Sequence, residues 1–443
     1  MTVSPDSAPP PAAAIEPRRI PRAEHPISRR FIDREALKVM YRLKDAGFIA
    51  YLVGGGVRDL YLGKTPKDFD IGTDARPGQV RKLFRNSRII GRRFRLVQII
   101  FPGGKIVEVS TFRSQAEFEL GGEEPTLGPD NTFGTPEEDA WRRDLTINAL
   151  FYSLDDLSII DYTGGVRDLD AGIIRAIGDP DRRFHRDPVR MLRAIRHAAR
   201  NSFTIEPVTW AAILSHGEKL ALCPVSRLRD EVTKDLRGGA SRTWGALAVS
   251  SGLFGVLFPA YGEILPGHAE LEAGLTAALG VVDRLQREGV ELDEATILGL
   301  VALPRIRQTL ATLWPTDPRQ KSGAFAARIQ DEVERILAPL EFKRATRDRA
   351  SLLLATYPFF DSLRLSGAWP KRLARKSYFP DCVAFCQLAA EAAGGPAVAQ
   401  DQVLASRRPE GERPDQPRRD RRHGRAPVLG RRGKGGIFGL KKE

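Results

Sequence analysis

Cysteine is scarce in this chain. Its three residues, Cys223, Cys382 and Cys386, are too few for a disulfide framework, and no histidine and cysteine cluster has zinc-site spacing. Cys382 and Cys386 stand one helical turn apart, which is the pattern of small apolar core residues. Long apolar runs are missing too, so no stretch has the length needed to cross a bilayer. The first residues, MTVSPDSAPPPAAAIEPRR, lack the basic start and apolar core of a secretory leader. These absences point to a cytoplasmic protein with no membrane partner. No repeat of fixed period is present, which argues against a solenoid. Acidic charge is in deficit: 69 Lys and Arg face 56 Asp and Glu, a net charge of +13, and this favours a polyanionic partner such as nucleic acid.

What is present is enough for a substantial core. With 443 residues and 42% hydrophobic content, the chain is expected to divide into two or more domains. Residues 1–26 read as a disordered lead-in rich in proline and alanine. From Asp401 to Glu443 thirteen Lys and Arg stand against six Asp and Glu, so this Pro/Gly/Arg-rich segment holds +7 of the net charge. Residues 401–443 therefore read as a disordered basic tail suited to phosphate backbones.

Between these ends the pattern changes once. Asp33 is placed to cap a helix, REALKVMYRLKDAG, with Leu37, Met40, Tyr41 and Leu43 on one face and Gly47 as its stop. FIAYLV, KDFDIGT, RLVQIIF and KIVEVSTF read as strands, with VRDLYLG and RPGQVRKLFRN as helices between them. Glu117 to Thr135 is rich in turn formers and reads as a mobile loop. An α+β domain ending near Asp161 follows, then a region from Asp187 to about Gln400 that reads mostly as helices. Within the latter, Leu271, Leu275, Leu279, Val282 and Leu285 recur at helical spacing and Gly289 ends the run.

Three features carry chemistry. Gly54, Gly55 and Gly56 precede a helix and let backbone N–H groups approach an anion. They match neither the dinucleotide fingerprint, where Asp59 replaces the last glycine, nor the phosphate loop, where Arg58 replaces the first. On their own they equally describe a tight turn. Asp68 and Asp70, spaced by one residue in a strand, share a face while Phe69 and Ile71 take the other. Two such carboxylates repel unless a divalent cation lies between them, and magnesium prefers oxygen donors. Glu108, alternating with Val107 and Val109, is a possible supporting acid from a neighbouring strand. RRDLTINAL adds Arg142, Arg143, Asp144 and Asn148. In RDPVRMLRAIRHAAR, Val189, Leu192, Ile195 and Ala199 mark an apolar face. Arg190, Arg193, Arg196 and Arg200 form a stripe with no acid among them, which suits a polyphosphate or RNA backbone. Asp187, just before the stripe, and Arg190 are suited to hydrogen bonding with a base edge.

GGGVRD, the D-x-D of KDFDIGT, RRDLTINA, DYTGGVRDL and RDPVRMLR occur in one order from Ile27 to Leu236. That order resembles the bacterial poly(A) polymerase and tRNA CCA-adding enzyme family, a branch of the polymerase-beta-like nucleotidyltransferases. Within it, IIGRRFRLVQIIF is similar to the poly(A) polymerase branch: Arg95 and Leu96 stand where CCA-adding enzymes usually have Gly-Thr. The basic tail is similar to that of this branch as well.

The resemblance implies a nucleotidyltransferase head with a small mixed sheet over 27–161, a helical nucleotide-recognition neck over 162–240 and a helical RNA-binding body over 241–400. It implies Mg2+ held by Asp68 and Asp70, with Asp144 as a further active-site acid. Gly55, Gly56 and Arg58 would contact the triphosphate, Asp187 and Arg190 the incoming base, and Arg193 and Arg196 the nucleotide from the same helix face. Arg142, Arg143 and Asn148 would approach from the other side. Arg186 departs from the family pattern, which has a glutamate there to orient the arginines. The implied activity is template-independent transfer of AMP from ATP to RNA 3′ ends. CCA addition to tRNA shares all five motifs, and an RNA-binding protein without catalysis would use only the stripe and tail.

Overall fold

Asp33 begins the ordered helices as its sequence position requires. Its carboxylate accepts from the backbone N–H groups of Glu35 and Ala36 (2.9 and 3.2 Å), capping α1 (Arg34–Asp45). Ala36, Val39, Met40 and Leu43 are its buried face. Tyr41, expected on that face, is instead exposed and accepts a hydrogen bond from Arg29. Gly47, with φ +84°, takes the left-handed backbone that ends the element. The structure, a computed structural model, describes residues 17–91, 95–114, 133–262, 264–265, 267–309, 311, 323–366 and 371–400. The N-terminal residues 1–16, most of the Glu117 to Thr135 loop and the whole 401–443 tail lie outside these described residues.

Eight strands form one sheet: β1 (Arg18–Ile20), β2 (Ala50–Val53), β3 (Asp70–Thr73), β4 (Ser87–Ile90), β5 (Leu96–Ile100), β6 (Ile106–Thr111), β7 (Leu150–Ser153) and β8 (Ile159–Asp161). Their spatial order is β1-β8-β7-β2-β3-β6-β5-β4, with β3 and β6 parallel and the other neighbours antiparallel. The sheet is mixed and belongs to an α+β head, as the sequence led us to expect. Two boundaries differ from expectation. β1 pairs with β8, so the segment 1–26 read as a disordered lead-in contains a paired strand. His25 is buried there, with Nε2 2.9 Å from the Leu157 carbonyl oxygen. β3 begins at Asp70, so Asp68 and Phe69 lie just ahead of the strand.

The alternation of side chains divides the sheet into two faces. Leu52, Ile71, Val97, Ile99, Val107 and Val109 pack with α1 and with Val80 of α3 (Pro77–Leu83). On the other face Val53, Phe112, Phe151 and Ile160 cluster with Ala140, Ala149 and Ile177. Gly72 is required there, because a Cβ would lie 2.6 Å from Phe112 and 2.9 Å from Val53. The register runs straight across all eight strands on this face: Arg19, Ile160, Phe151, Val53, Asp70, Glu108, Gln98 and Arg88 stand side by side.

α2 (Gly55–Tyr61) follows β2, and α4 (Pro136–Trp141) lies between β6 and β7. After the sheet the chain is mainly helical: α5 (Gly165–Ala171), α6 (Pro180–Arg186), α7 (Val189–Asn201), α8 (Pro207–His216), α9 (Val225–Leu236) and α10 (Ser241–Ser250) come first. The longer helices beyond are α11 (Ala269–Arg287), α12 (Glu294–Thr309), α13 (Gly323–Leu337), α14 (Arg344–Ser366) and α15 (Phe379–Ala392). Leu271, Leu275, Leu279, Val282 and Leu285 are all buried on α11. Cys382 and Cys386 are buried on α15 and free. The expected division at 240/241 does not separate two cores. α10 packs on both α7 and α11, and one continuous buried cluster runs from Ile20 to Val398.

Candidate active site

The glycine run makes the turn that brings β2 into α2. Gly54 has φ +66° and ψ −130°, a conformation reserved for glycine, and a Cβ there would lie 2.8 Å from the Arg143 guanidinium. Gly55 opens α2 beside the guanidinium of Arg58. Gly56 is buried against the Asp68 carbonyl and Leu52. The glycines thus admit two arginines to the start of a short helix.

Asp68 and Asp70 are both exposed, with Phe69 packed on the core and Ile71 fully buried. Only Asp70 is in the strand; Asp68, just ahead of it, is near enough for its charge to act on Asp70. Glu108 of β6 registers directly beside Asp70. Asp70 is reachable by solvent, yet the surrounding protein crowds it. That desolvation, followed by the charges of Glu108 and Asp68, pushes its carboxyl up to about 6 against the opposing pull of Arg143. The donor set fits magnesium, which takes one or two carboxylates and completes its shell with water and substrate phosphates. Among the described residues no group of three or more His, Cys, Asp or Glu is arranged to hold a metal ion by itself.

Asp144 belongs to a second cluster. Its Oδ1 accepts from the Leu145 backbone (2.8 Å) and the Asn148 side chain (3.2 Å), and its Oδ2 lies 3.4 Å from Arg193. Burial alone would raise this carboxyl; Arg193 above all, then Arg190 and the Asn148 amide, hold it down to about 2. Arg58 donates to Asn148 Oδ1 (2.5 Å), approaches Nδ1 of His197 (3.3 Å) and pairs with Asp59 (2.7 Å). His197 is pushed down to about 3 by burial first and then by the Arg58 charge, so it meets Arg58 as a neutral acceptor.

Arg142 and Arg143 share one buried carboxylate, Asp139 on α4, at 2.7 and 2.9 Å. Burial works against that charge, but Arg143 and Arg142 keep Asp139 below the usual range. Arg143 also donates to the Asn148 carbonyl (3.1 Å) and lies over the Phe151 ring. These contacts place it between the Asp70 cluster and the Asp144 cluster.

The stripe on α7 corrects the sequence reading most clearly. Its acids come from elsewhere in the chain. Arg190 is nearly buried and donates to the carbonyls of Arg143 and Arg142 (2.8 and 3.0 Å), tying α7 to the head. Arg196, 8% exposed, sits between Glu231 and Asp235 of α9, so the nucleotide-facing role expected of it does not hold. Arg200 donates to the Lys234 carbonyl (2.7 Å). Arg193, at 36% side-chain exposure, is the most open of Arg190, Arg193 and Arg196 and bridges Asp144 and Glu231. Asp187 is paired with Arg227 through both oxygens (2.9 Å each) and lies 3.5 Å from Arg190. DYTGGVRDL proves architectural. Asp161 accepts from the backbone N–H groups of Thr163, Gly164, Gly165 and Val166, and Asp168 accepts from Thr146 and Arg175.

Asp139, His197, Arg227, Glu231 and Asp235 were not found from the sequence. Two had a local signal. Asp139 precedes Arg142 and Arg143 by three and four residues, and His197 follows Arg193 by four on the same helix face. The acids of α9 had none.

The family described as "Poly A polymerase head domain" matches residues 50–175, the segment that holds both clusters up to α7. Over that segment the chain is similar to the head domains of poly(A) polymerases. A second family, "Probable RNA and SrmB- binding site of polymerase A", matches residues 202–265. Poly(A) polymerase I of Escherichia coli O6:H1 is 51% identical over 247 residues, 54% of this chain and 53% of that protein. The CCA-adding enzyme of Lactobacillus helveticus is 42% identical over 47% of this chain and 51% of that one. The chain therefore spans about half the length of the curated relatives it matches. The solved Bacillus stearothermophilus CCA-adding enzyme in complex with CTP matches with a TM-score of 0.60 and 26% identity, covering 84% of this chain and 80% of that one. No helix among the described residues is long and apolar enough to cross a membrane.

Proposed function

We propose that the chain is a polynucleotide adenylyltransferase that adds AMP from ATP to RNA 3′ ends without a template. The observation that carries this reading is the acidic cluster, Asp70 and Glu108 side by side in the row with Asp68 just ahead of β3, facing the arginine-bearing Asn148–Arg58–Asp144 cluster across Arg143. An accessible pair of carboxylates under like-charge stress beside ordered cations is what phosphoryl transfer needs, since its catalysis rests on positioning and charge neutralisation. Asp68 and Asp70 would hold Mg2+, which would supply charge neutralisation for the attacking and leaving oxygens, in the two-metal manner.

The chain's own residues account for the rest. The RNA 3′-oxygen attacks the α-phosphorus as the bond to pyrophosphate breaks. Arg58, held by Asn148 and His197 beside Gly55 and Gly56, is oriented for the triphosphate. Arg193 reaches the nucleotide from α7, and Asp187, aligned by Arg227 and Arg190, offers acceptors to a base amino group. Asp144 keeps Arg193 and Asn148 in place, an orienting part in addition to that of an active-site acid. The carboxylates of Asp144 and Glu231 supply the alignment of Arg193 that Arg186 does not.

Arg95 and Leu96, and the higher identity to a poly(A) polymerase I than to a CCA-adding enzyme, support A-tailing. CCA addition is the second reading, favoured by the likeness to the CTP-bound CCA-adding enzyme. Purified protein offered tRNA lacking its terminus, or a generic RNA, with one nucleotide at a time separates them. Long tails from ATP alone are expected; CTP incorporation followed by a single A overturns A-tailing. Binding of RNA with no extension by any nucleotide returns the chain to a non-catalytic RNA-binding protein. Asp68→Ala and Asp70→Ala are each expected to lower incorporation by at least about 1,000-fold while the fold persists, the scale on which groups stabilising transition-state charge act.

A further inference from the structure

The polar half of the row across the sheet contains two residues with no part in the reading above. Gln98 of β5 stands between Glu108 and Arg88 in register. Its Oε1 accepts from Arg88 Nε and Nη2 at 3.1 and 2.9 Å, and its Nε2 donates to Glu108 Oε1 at 2.8 Å. A guanidinium only donates and a carboxylate only accepts, so both neighbours demand the same orientation of the amide. Glu108 is thus held by one oxygen, while its second has no hydrogen-bond partner among the described residues. Asp70 is its lateral neighbour on the far side.

We propose that Gln98 is a positioning residue: anchored by Arg88 at the sheet edge, it fixes the Glu108 carboxylate beside Asp70 and so shapes the divalent-cation site. The ladder leads from Arg88 at the sheet edge inward to the acidic pair. Groups that orient metal-site carboxylates typically change metal affinity or activity 10–100-fold when removed. Arg88 is solvent-exposed, so its loss acts on the site only through Gln98.

The activity arm of the test rests on the nucleotidyl-transfer reading. Gln98→Leu is expected to lower kcat for RNA extension by about 10-fold, leave the ATP KM within about twofold, and raise the Mg2+ concentration for half-maximal rate severalfold. Arg88→Met should move the same quantities less. In a Glu108→Gln background, Gln98→Leu should add nothing, because its effect passes through that carboxylate. Mn2+ binding to the nucleotide-free full chain, followed by electron paramagnetic resonance, should weaken severalfold in Gln98→Leu. Unchanged kcat with unchanged Mn2+ affinity, or an undiminished loss in the Glu108→Gln background, overturns the proposal. If the wild-type chain extends no RNA, the functional reading fails alone and Mn2+ binding decides this one. Should Gln98→Leu fail to fold, Arg88→Met decides it by the same measurements.

Discussion

Asp70 shows how a carboxylate crowded by its neighbours strains the protein that carries it. Its carboxyl, raised to about 6 by desolvation and by Glu108 and Asp68, disfavours the folded state once ionised. The sign is that of a raised acid: the folded form binds the proton more tightly, so the cost appears above the ordinary value near 3.8 and is complete above about 6. Asp70→Asn without added metal should therefore melt roughly 1–3 °C higher than wild type at pH 8, with the gain fading towards pH 4. Mg2+ should raise the melting temperature of the wild type and leave the variant unmoved; differential scanning calorimetry reads both. The pair Asp68 and Asp70 was legible in the sequence because alternation is a local rule. Gln98 was not, since only the register of β5 on β6 gives a neutral amide its place beside Glu108.

At the scale of elements, α7 demonstrates the limit of reading charge along one helix. Four arginines with no acid between them looked like an open basic stripe, yet Glu231 and Asp235 approach from α9, about 40 residues away, and Asp144 from the head. Helical spacing fixes which residues share a face, but not what lies across from it. Arg196→Met should leave the buried Asp235 without its ion-pair partner and strip Glu231 of its nearest one, and cost about 3–5 kcal/mol in urea unfolding, with little change in the ATP KM of the folded fraction. A normal urea midpoint with a large rise in KM would restore Arg196 to the nucleotide. The head's strands were easier to read: four of the eight were visible as apolar runs. β1, β4, β7 and β8 were missed, and length was not the reason, since β2 and β3 are as short: each missed strand is defined by its partner more than by its own pattern.

Over the whole molecule, the basic balance and the continuous core point in complementary directions. The sheet and the helices after it share one buried cluster, so the arginines of α7 are held against the head without a hinge of separate cores. The domain borders expected from composition mark changes of secondary structure and do not mark independent folding units. The excess positive charge, by contrast, is concentrated in residues 401–443. Deleting Ala405 to Glu443 should weaken RNA binding and flatten the dependence of log affinity on log salt, because the shortened chain neutralises fewer phosphates and so releases fewer counterions on binding. Fluorescence anisotropy across a salt series measures this, and an unchanged slope would make the tail a solvated appendage.

The straight row from Arg19 to Arg88 has a consequence for descent. Because side chains alternate, an odd-numbered insertion within β3 or β6 would turn Asp70 or Glu108 into the apolar layer and present a valine or isoleucine in its place. The turn between β5 and β6, where Gly103 and Gly104 both adopt positive φ, can change length without moving that phase. Lineages sharing this head are therefore free to drift in their connections, while their strands are constrained to keep count.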